Sequence, residues 1–355
     1  MRTIWRYKIA AAVPFEGTAT YDEIALKIGL GRSLVSRVIR AAMTLNIFDE
    51  IKPGHVRHTA MSRLLATDAG YSSVVGLQVE DIGAAAGKLF EVWDTQGADA
   101  AEPDQSAFAL ANDGKPLFKV LSEDPVRANR FDSAMKYCIE DKDFNFSDVI
   151  SSFDWASIDK PGARLVDLGG GYGQISKALA RQTQHLTFTV QDLPHVVEQG
   201  RAELDPEFAE RINFLPQSFL EPQQPPQEGS GDDETTLPAA FIISRCLHNW
   251  SDHYCANILR NLIPALQGGA KVLIWDTVLR DEPVKKLSEK FSFQQDFIMA
   301  TVANGKDRSR GEFEHVLGMS DERFVFEKVT TPKGSDLGMV EVTWRSSKKR
   351  PFSSI

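Results

Sequence analysis

The sequence has few cysteines and no long apolar run. Its 355 residues include three cysteines, Cys138, Cys246 and Cys255, too few and too scattered for a disulfide framework or a thiolate metal site. No apolar stretch approaches the roughly 18 residues that a membrane-spanning helix requires. These absences predict a cytoplasmic protein with no metal centre and no membrane partner.

An excess of positive charge is also missing. The formal net charge is −9, which disfavours general binding to nucleic acids or anionic membranes, because both attract basic surfaces. Hydrophobic residues make up 42% of the chain and charged residues 25%. These values are ordinary for a globular protein and are compatible with a large buried core.

The first residues imitate a secretory signal only in part. Arg2, Arg6 and Lys8 precede the apolar run "IAAAV", but this run is shorter than the usual signal core of about 7–15 residues, and Pro14 ends it. We therefore expect an ordinary helix here. The abrupt start also leads us to expect a further N-terminal segment in the full protein.

Residues 18–60 show a winged-helix pattern. Apolar positions in 18–45 predict two short helices joined around Gly29, and "IFDEIKPGHVRHTA" predicts a two-stranded wing turned at Pro53–Gly54. Such a module can read DNA through its second helix, which here carries Arg32, Arg37 and Arg40. A solvated helix face explains three arginines equally well. Because the chain is acidic, we expect no nucleic-acid partner and a module that packs against another subunit.

The pattern changes near residue 160. Predicted strands "ARLVDL", "LTFTVQD", "AAFIIS" and "AKVLIWDTVL" alternate with predicted helices such as "QISKALARQT" and "VVEQGRAEL". This alternation predicts an α/β fold with a parallel, doubly wound sheet. Residues 71–150 are mostly helical in pattern, which places a domain boundary at 150/151. Residues 221–238, rich in proline, glutamine and acidic residues, predict a disordered surface loop.

The stretch "LVDLGGGYG" indicates a cofactor loop. A predicted strand ends at Asp167 and four glycines follow, which allow a ligand to approach the backbone closely. The dinucleotide fingerprint GxGxxG needs a further glycine where Gln174 or Ser176 stands, so it is absent. The pattern D-x-G-x-G-x-G instead resembles motif I of the S-adenosylmethionine methyltransferases. That resemblance implies cofactor contacts at Asp167, Gly169, Gly170, Gly171 and Gly173.

Asp192 ends the next predicted strand, in "VQDLP". A carboxylate there can accept hydrogen bonds from both ribose hydroxyls, and Leu193 can pack beside adenine. Alone, such an aspartate would also fit a helix cap or a solvated loop. The order strand, loop, helix, strand and aspartate favours cofactor binding.

Five segments carry a more specific resemblance. "LVDLGGGYG", "VQDLP", "RCLHNWSD", "KVLIWDTVL" and "NGKDRSRGEF" occur in order and are similar to segments of the plant-type (caffeic-acid-type) O-methyltransferases, most of all the fungal sterigmatocystin-type enzymes. The resemblance covers nearly the whole chain. It implies a Rossmann-like methyltransferase domain (151–355) behind a winged-helix and helical dimerisation and substrate-lid domain (1–150). It also implies S-adenosylmethionine as cofactor, a homodimer and, as substrate, the phenolic hydroxyl of an aromatic secondary metabolite of the fungal polyketide type.

His248 is the candidate base. Taken alone, a histidine between a strand and a helix could be a core residue, a ligand or a base. The resemblance assigns it as general base, because the family carries histidine in an "LHDW" or "LHNW" motif. A neutral imidazole, with a pKa near 6.5, can take the proton of a phenol whose pKa is near 10 as the oxygen reacts.

Two acidic residues accompany the base in this family. The matching positions are Asp276 and Asp307, both aspartate where glutamate is common. Their side chains are about one methylene shorter, so we expect a looser or repositioned imidazole. The catalytic set is therefore His248, Asp276 and Asp307, and it requires no metal.

The resemblance also implies further contacts. Ser218 stands where an acidic residue near adenine is usual, and Arg245 lies three residues before the base, displaced from the usual cationic position. The remaining cofactor contact is Phe219. The expected acceptor pocket consists of Phe131, Met135, Phe297 and Met299, for which simple core packing is an equally good explanation.

Two other functions compete with methyl transfer. One is a cofactor-binding homologue that catalyses a cyclisation or pericyclic step; the presence of His248 with both aspartates argues against it. The other is a small-molecule-sensing regulator that binds DNA through the winged helix. Product mass distinguishes the first alternative from methyl transfer, and salt-dependent DNA binding distinguishes the second.

Overall fold

The chain forms two compact units. The structure, a computed structural model, describes residues 1–97, 100–140, 146–224, 238–282 and 290–346. One unit comprises Met1–Ala98 and Asp104–Phe144, and the other Asp99–Pro103 and Asn145–Ile355, whereas the sequence placed a single boundary at 150/151. Glu102 belongs to the second unit because its carboxylate accepts a hydrogen bond from the Tyr254 hydroxyl (2.6 Å) and its carbonyl accepts one from the Asn304 amide (2.9 Å).

The first unit is mainly helical. Its helices are α1 (Arg2–Arg6), α2 (Ile9–Ala12), α3 (Tyr21–Ile28), α4 (Arg32–Met43), α5 (Ala60–Thr67), α6 (Ala69–Gly76), α7 (Gly83–Ala86), α8 (Leu89–Gln96), α9 (Ala107–Leu110), α10 (Leu117–Glu123) and α11 (Pro125–Glu140). A π-helical turn, Leu77–Ile82, joins α6 to α7. Three short strands, β1 (Ala19–Thr20), β2 (Phe48–Lys52) and β3 (His55–His58), form a sheet in the order β1-β3-β2.

Local sequence explains the start of this unit. Thr20 and Glu23 form a capping box at the start of α3, and Gly29 ends that helix with a φ of 69°, a conformation that glycine adopts without strain. The predicted hairpin is present, since β2 pairs with β3 in antiparallel register. Fully buried Ile24, Val35 and Val56 contribute to the core of the unit.

The second unit is built on one large sheet. Its strands are β4 (Arg164–Leu168), β5 (Thr187–Asp192), β6 (Ile212–Pro216), β7 (Pro238–Ser244), β8 (Lys271–Leu279), β9 (Arg308–Ser309), β10 (Phe324–Thr330) and β11 (Leu337–Trp344). Its α-helices are α12 (Phe146–Ser151), α13 (Gln174–Ala180), α14 (Pro194–Ala202), α15 (Asp252–Leu262), α16 (Lys290–Ala303) and α17 (Arg310–Ser320).

The strand order defines where a ligand can bind. The order is β10-β11-β8-β7-β4-β5-β6, with β9 beside β8, and the strands from β4 to β8 run parallel to one another. From β4 the chain adds β5 and β6 toward one edge of the sheet, then crosses to β7 on the other side of β4 and adds β8 toward the opposite edge. The switch point of the strand order therefore lies between the neighbouring strands β4 and β7. In open α/β sheets, ligands bind at the carboxyl ends of the strands at such a switch point.

One edge of the sheet is antiparallel. β11 pairs with both β8 and β10 in antiparallel register, so the sheet is mixed rather than wholly parallel. The physical reason is the short connection between β10 and β11, because a short turn can join only antiparallel neighbours. The predicted doubly wound core is unchanged.

The parallel strands are buried along most of their length, as expected for strands of a sheet whose two faces are both covered. Ile243, Val272 and Trp275 are buried and belong to strands β7 and β8. Residues 225–237 of the predicted surface loop lie outside the described residues. In the described part of the chain, no helix combines the length and apolarity needed to cross a membrane.

Candidate active site

The glycine loop follows β4 at the carboxyl edge of the sheet. Gly169, Gly171 and Gly173 have positive φ values of 65°, 57° and 74°. A Cβ on Gly169 would lie 2.8 Å from Cys246 Sγ and 3.0 Å from the Phe219 ring, whereas a Cβ on Gly171 would meet no atom within 4 Å. The loop is therefore packed tightly on its inner side at Gly169 and open at Gly171.

Asp192, at the end of β5, contacts this loop directly. Its carboxylate accepts hydrogen bonds from the backbone N–H of Gly171 (2.9 Å) and of Leu193 (2.7 Å). A carboxylate has about four acceptor sites, so it can also accept bonds from ligand hydroxyls. Leu193 is 46% exposed and offers an apolar surface beside them. The structure thus brings together two elements that the sequence predicted as one site.

Asp167 lies beneath the loop. Its carboxylate accepts a hydrogen bond from the Ser176 hydroxyl (2.7 Å), and a Cβ on Gly170 would come within 2.6 Å of it. Burial raises the pKa of Asp167 to about 6, and the nearby charge of Asp192 acts in the same direction. The contacts of this side chain support the loop from below, and Gly170 must be glycine for the loop to rest on it.

The segment after β6 borders the same site. The N–H of Gln217 donates to the Asp192 carbonyl (3.1 Å), and the Ser218 hydroxyl accepts the N–H of Leu220 (3.2 Å). Phe219 packs edge-on against Trp250, with ring centroids 6.0 Å apart. Ser218 and Phe219 therefore lie at the rim of the glycine loop.

Arg245 lies at the bend that follows β7. Its φ is 50°, in the left-handed region that non-glycine residues adopt at a cost. Its N–H donates to the Trp275 carbonyl (2.8 Å), which continues the pairing of β7 with β8 by one residue. The bend turns the chain toward the short 3₁₀ turn Leu247–Asn249.

His248 lies in that turn and bonds to β8. Its Nδ1 is 2.6 Å from Asp276 Oδ1, and its backbone N–H donates to Asp276 Oδ2 (3.3 Å). Burial would raise the pKa of Asp276, but interaction with His248 and hydrogen bonds lower it below its ordinary value. An ionised carboxylate can only accept, so Nδ1 carries the proton and Nε2 keeps its lone pair.

Asp307 lies near the same ring nitrogen of His248 as Asp276, but farther away. Its Oδ1 is 3.9 Å from His248 Nδ1 and, among the described residues, has no hydrogen-bond partner. Burial raises the pKa of Asp307 to about 7, and the charges of Asp276 and Asp296 add to the effect against the opposing influence of His248. Both predicted acids therefore lie close to Nδ1 of the base, but only Asp276 is within hydrogen-bonding distance.

These three side chains are also the one group in the described part of the chain whose ligand atoms could converge on a metal ion. Two ligands of one ion, each about 2.1 Å from it, are separated by about 3 Å or more. The Nδ1–Oδ1 distance of 2.6 Å is shorter and is that of a charge-assisted hydrogen bond. The arrangement fits a proton-handling group better than a coordination shell.

The four residues expected in an acceptor pocket fall in both units. Phe131 and Met135 lie on α11 of the first unit, where Phe131 packs edge-on against Phe118. Phe297 and Met299 lie on α16 of the second unit; Phe297 is 61% exposed, and the Met299 carbonyl accepts the N–H of Gly305 (3.1 Å).

Several residues for which the sequence suggested no role also belong to the site. Asp296 accepts the backbone N–H of Asp307 (2.9 Å). Gly305 packs against the His248 carbonyl so closely that any Cβ would collide with it. Arg308 is buried beside the turn that carries His248. For Gly305 and Arg308 the only sequence signal was their position next to Asp307 in "NGKDRSRGEF". Asp296 lies outside that segment and had no signal, since buried contacts leave no periodic pattern.

Comparison with known proteins identifies the family. The profile of a family described as "O-methyltransferase domain" matches residues 96–321. A chlorophenol O-methyltransferase of Trichoderma longibrachiatum is 31% identical over 350 residues, which cover 97% of this chain and 73% of that protein. The chain belongs to this O-methyltransferase family. It is an S-adenosylmethionine-dependent O-methyltransferase, as the sequence motifs predicted.

Solved structures agree on the fold of the methyltransferase. OxaC in complex with sinefungin and meleagrin superposes with a TM-score of 0.78 at 21% identity, over 97% of this chain and 84% of that one. A structure described as a pericyclic reaction enzyme superposes with a TM-score of 0.75 at 18% identity, over 97% and 85%. The predicted Rossmann-like fold is confirmed.

The residues present fit S-adenosylmethionine. The open face at Gly171 leaves room for a ligand against the backbone, and the Asp192 carboxylate beside it has spare acceptor capacity for hydroxyl groups. Both features lie at the switch point of the sheet, where this fold class binds its ligands.

Proposed function

We propose that the methyltransferase methylates a phenolic hydroxyl of an aromatic secondary metabolite, with His248 as the general base. The observation that carries this proposal is the 2.6 Å contact between His248 Nδ1 and the Asp276 carboxylate, which leaves Nε2 as a proton acceptor. The relative that acts on a chlorophenol, by its name, supports the choice of a phenol.

The cofactor is held by the glycine loop and Asp192. Asp192 would accept hydrogen bonds from the ribose hydroxyls, Leu193 would offer an apolar surface to adenine, and the loop from Gly169 to Gly173 would hold the amino-acid part. When bound, S-adenosylmethionine supplies a methyl group on a positively charged sulfur. Binding cofactor and acceptor side by side lowers the activation barrier of methyl transfer, because their translational and rotational entropy is lost on binding rather than in the reaction step.

The role of His248 is to accept the proton of the substrate hydroxyl. Nε2 accepts it from the hydroxyl as the oxygen becomes nucleophilic, and the ring becomes a cation. Asp276 stabilises that cation through its hydrogen bond, and the more distant Asp307 adds electrostatic attraction when it is ionised. The ring then loses its proton to solvent, and the neutral base is restored.

The test uses purified protein, labelled cofactor and a panel of chlorinated, alkylated and polycyclic phenols, with an aliphatic alcohol and an aromatic amine as alternative acceptors. We expect His248→Gln and His248→Ala to reduce turnover at least about 100-fold, because general-base catalysis contributes about 10²–10⁴. The dissociation constant for S-adenosylmethionine should stay within about twofold of wild type, because cofactor and base contacts are separate. His253→Gln is the matched control, since His253 is an exposed residue of α15 and should retain wild-type turnover.

Each outcome has a definite meaning. Turnover that persists in both His248 variants would exclude His248 as the base. A product heavier by one methylene unit supports methyl transfer, whereas an isomer of unchanged mass supports a cyclisation or pericyclic step. If no phenol is methylated while an aliphatic alcohol or a nitrogen is, the proposed substrate class is wrong.

A further inference from the structure

Arg308 is one of the largest fully buried side chains in the described part of the chain, with 1% of its surface exposed. Its guanidinium donates from Nη1 to the Leu247 carbonyl (3.1 Å) and from Nη2 to the Trp250 carbonyl (2.8 Å). These two carbonyls lie on either side of His248 in the chain. One planar, charged group therefore holds both ends of the turn that carries the candidate base.

Three further contacts tie the same turn to the segment that carries Asp307. The backbone N–H of Lys306 donates to the His248 carbonyl (2.9 Å), and Arg308 Nη1 donates to the Lys306 carbonyl (2.9 Å). Gly305 packs against the His248 carbonyl. The two chain segments are thus joined directly by backbone contacts and indirectly through Arg308.

The position of Arg308 is itself fixed. A buried cation is costly unless it is paired and fully hydrogen-bonded, and here Asp252 accepts from Arg308 Nε (2.9 Å). The backbone of Arg308 pairs with Val278 as β9 joins β8, the strand that also contains Asp276. The side chain therefore connects a fixed point on the sheet to a single short 3₁₀ turn, whose own backbone hydrogen bonds, from Asn249 N–H to the Cys246 carbonyl and from Trp250 N–H to the Leu247 carbonyl, do not tie it to the rest of the fold.

We infer that Arg308 is a positioning residue: it fixes the Leu247–Asn249 turn so that His248 keeps its hydrogen bond to Asp276 and its separation from Asp307. This inference rests on the proposed role of His248 as base. Lysine cannot replace the arginine, because a single ammonium group cannot reach two carbonyls and a carboxylate in the planar fork geometry of a guanidinium.

The decisive variants are Arg308→Lys, which keeps the charge, and Asp252→Asn, a milder change that keeps an oxygen acceptor for the guanidinium. We expect Arg308→Lys to lower kcat about 10–100-fold, because small displacements of a catalytic group have effects of this size. The dissociation constant for S-adenosylmethionine should change less than about twofold. Asp252→Asn should lower kcat in the same direction by a smaller factor.

A spectroscopic measurement tests positioning without any substrate. The proton that His248 Nδ1 shares with Asp276 should give a low-field ¹H resonance, assigned by its absence in His248→Gln. We expect this resonance to broaden or vanish in Arg308→Lys. The matched control is Arg211→Lys, because Arg211 also donates to three carbonyls, those of Ala180, Thr183 and Leu186, but does so next to the amino ends of β5 and β6.

If Arg308 were only structural, Arg308→Lys and Arg211→Lys would both lower the unfolding midpoint, and the resonance and the kcat of the folded enzyme would be unchanged in both. That result would overturn the inference. A wild-type protein that methylates none of the phenols would contradict the proposed function instead, and the resonance would still decide whether Arg308 orients His248. Should Arg308→Lys not fold, loss of the resonance in Asp252→Asn supports the inference and its retention opposes it.

Discussion

The two aspartates beside His248 have the same chemistry in solution and different chemistry in this site. Asp276 accepts a short hydrogen bond from the imidazole, and its pKa is lowered despite complete burial. Asp307 has an oxygen without a partner among the described residues, and burial raises its pKa to about 7. Both side chains are buried, so their neighbours decide the difference. Attraction to His248 and hydrogen bonds lower the pKa of Asp276, whereas the negative charges of Asp276 and Asp296 add to the effect of burial at Asp307.

Asp307 makes the stability of the fold depend on pH. A carboxyl whose pKa is about 3.9 in the unfolded chain and about 7 in the fold binds more protons when folded between those values. Stability is therefore lost as pH rises through this interval, by up to about 4 kcal/mol. Asp307→Asn removes this loss. We expect its urea midpoint to gain on wild type from pH 5 to pH 7 and the gain to level off by pH 8.

The control for this prediction is Asp159→Asn. The Asp159 carboxylate accepts three backbone N–H groups, from Gln184, His185 and Leu186. Burial alone would raise the pKa of Asp159, but these bonds lower it. The ionised carboxylate therefore stabilises the fold above about pH 4, and this stabilisation is lost only in more acidic solution. Asp159→Asn should therefore cost the same stability from pH 5 to pH 8. A flat difference for Asp307→Asn would show that its carboxyl titrates normally.

At the scale of elements, alanine substitutions at two glycines can separate the effect of backbone strain from the effect of lost cofactor contact. Gly171 and Gly269 both have positive φ, 57° and 86°, and neither has an atom within 4 Å of an added Cβ. Alanine at either position costs about 1 kcal/mol of backbone strain. Gly171 lies in the loop beside Asp192, whereas Gly269 ends the 3₁₀ turn Ile263–Gly268 before β8.

We expect Gly171→Ala to raise the dissociation constant for S-adenosylmethionine at least about tenfold, or about 1.4 kcal/mol, because the new methyl group points into the space proposed for the cofactor. Gly269→Ala should lose similar stability with unchanged affinity. Isothermal titration calorimetry and urea unfolding of both variants provide the measurements. Equal affinity losses in both variants would mean that strain alone, rather than contact with the cofactor, weakens binding.

The elements also show what sequence could and could not predict. Strands β7 and β8 were predicted because they contain continuous apolar runs, "AAFII" and "VLIW", as buried parallel strands often do, whereas β4 and β5 were predicted from shorter apolar stretches next to the glycine loop and to "QDLP". The antiparallel pairing of β10 was not predicted, since the strand has a single buried residue, Phe324, and neither a buried run nor a regular alternation. His248 and both aspartates came from motifs shared with the family, and the short aspartate side chains predicted a looser or repositioned imidazole. That Asp276 makes the 2.6 Å contact while Asp307 stays 3.9 Å away depends on the register of β8 and β9, which no local pattern encodes.

At the scale of the whole molecule, the net charge and the family membership are both consistent with an enzyme. The net charge of −9 suits an enzyme with a small-molecule substrate, and membership of the O-methyltransferase family now accounts for the chain from residue 96 to 321. The homodimer, the cytoplasmic location and the packing role of the winged helix stay predictions. The winged helix also provides the last alternative, binding to DNA.

The structure gives a reason to expect no DNA binding. Of the three arginines on α4, Arg32 forms an ion pair with Asp22 (3.1 Å) and Arg40 lies over the Tyr21 ring (5.5 Å), so two are engaged within their own unit. We expect protein at about 10 μM in about 50 mM salt to leave the fluorescence anisotropy of a labelled duplex unchanged. Non-specific DNA binders have dissociation constants of about 10⁻⁴–10⁻⁶ M at physiological salt and bind more tightly at lower salt, so these conditions favour their detection. Binding that weakens steeply with added salt, and weakens again in Arg37→Ala, would contradict this and favour a regulator, because released counterions produce that salt dependence.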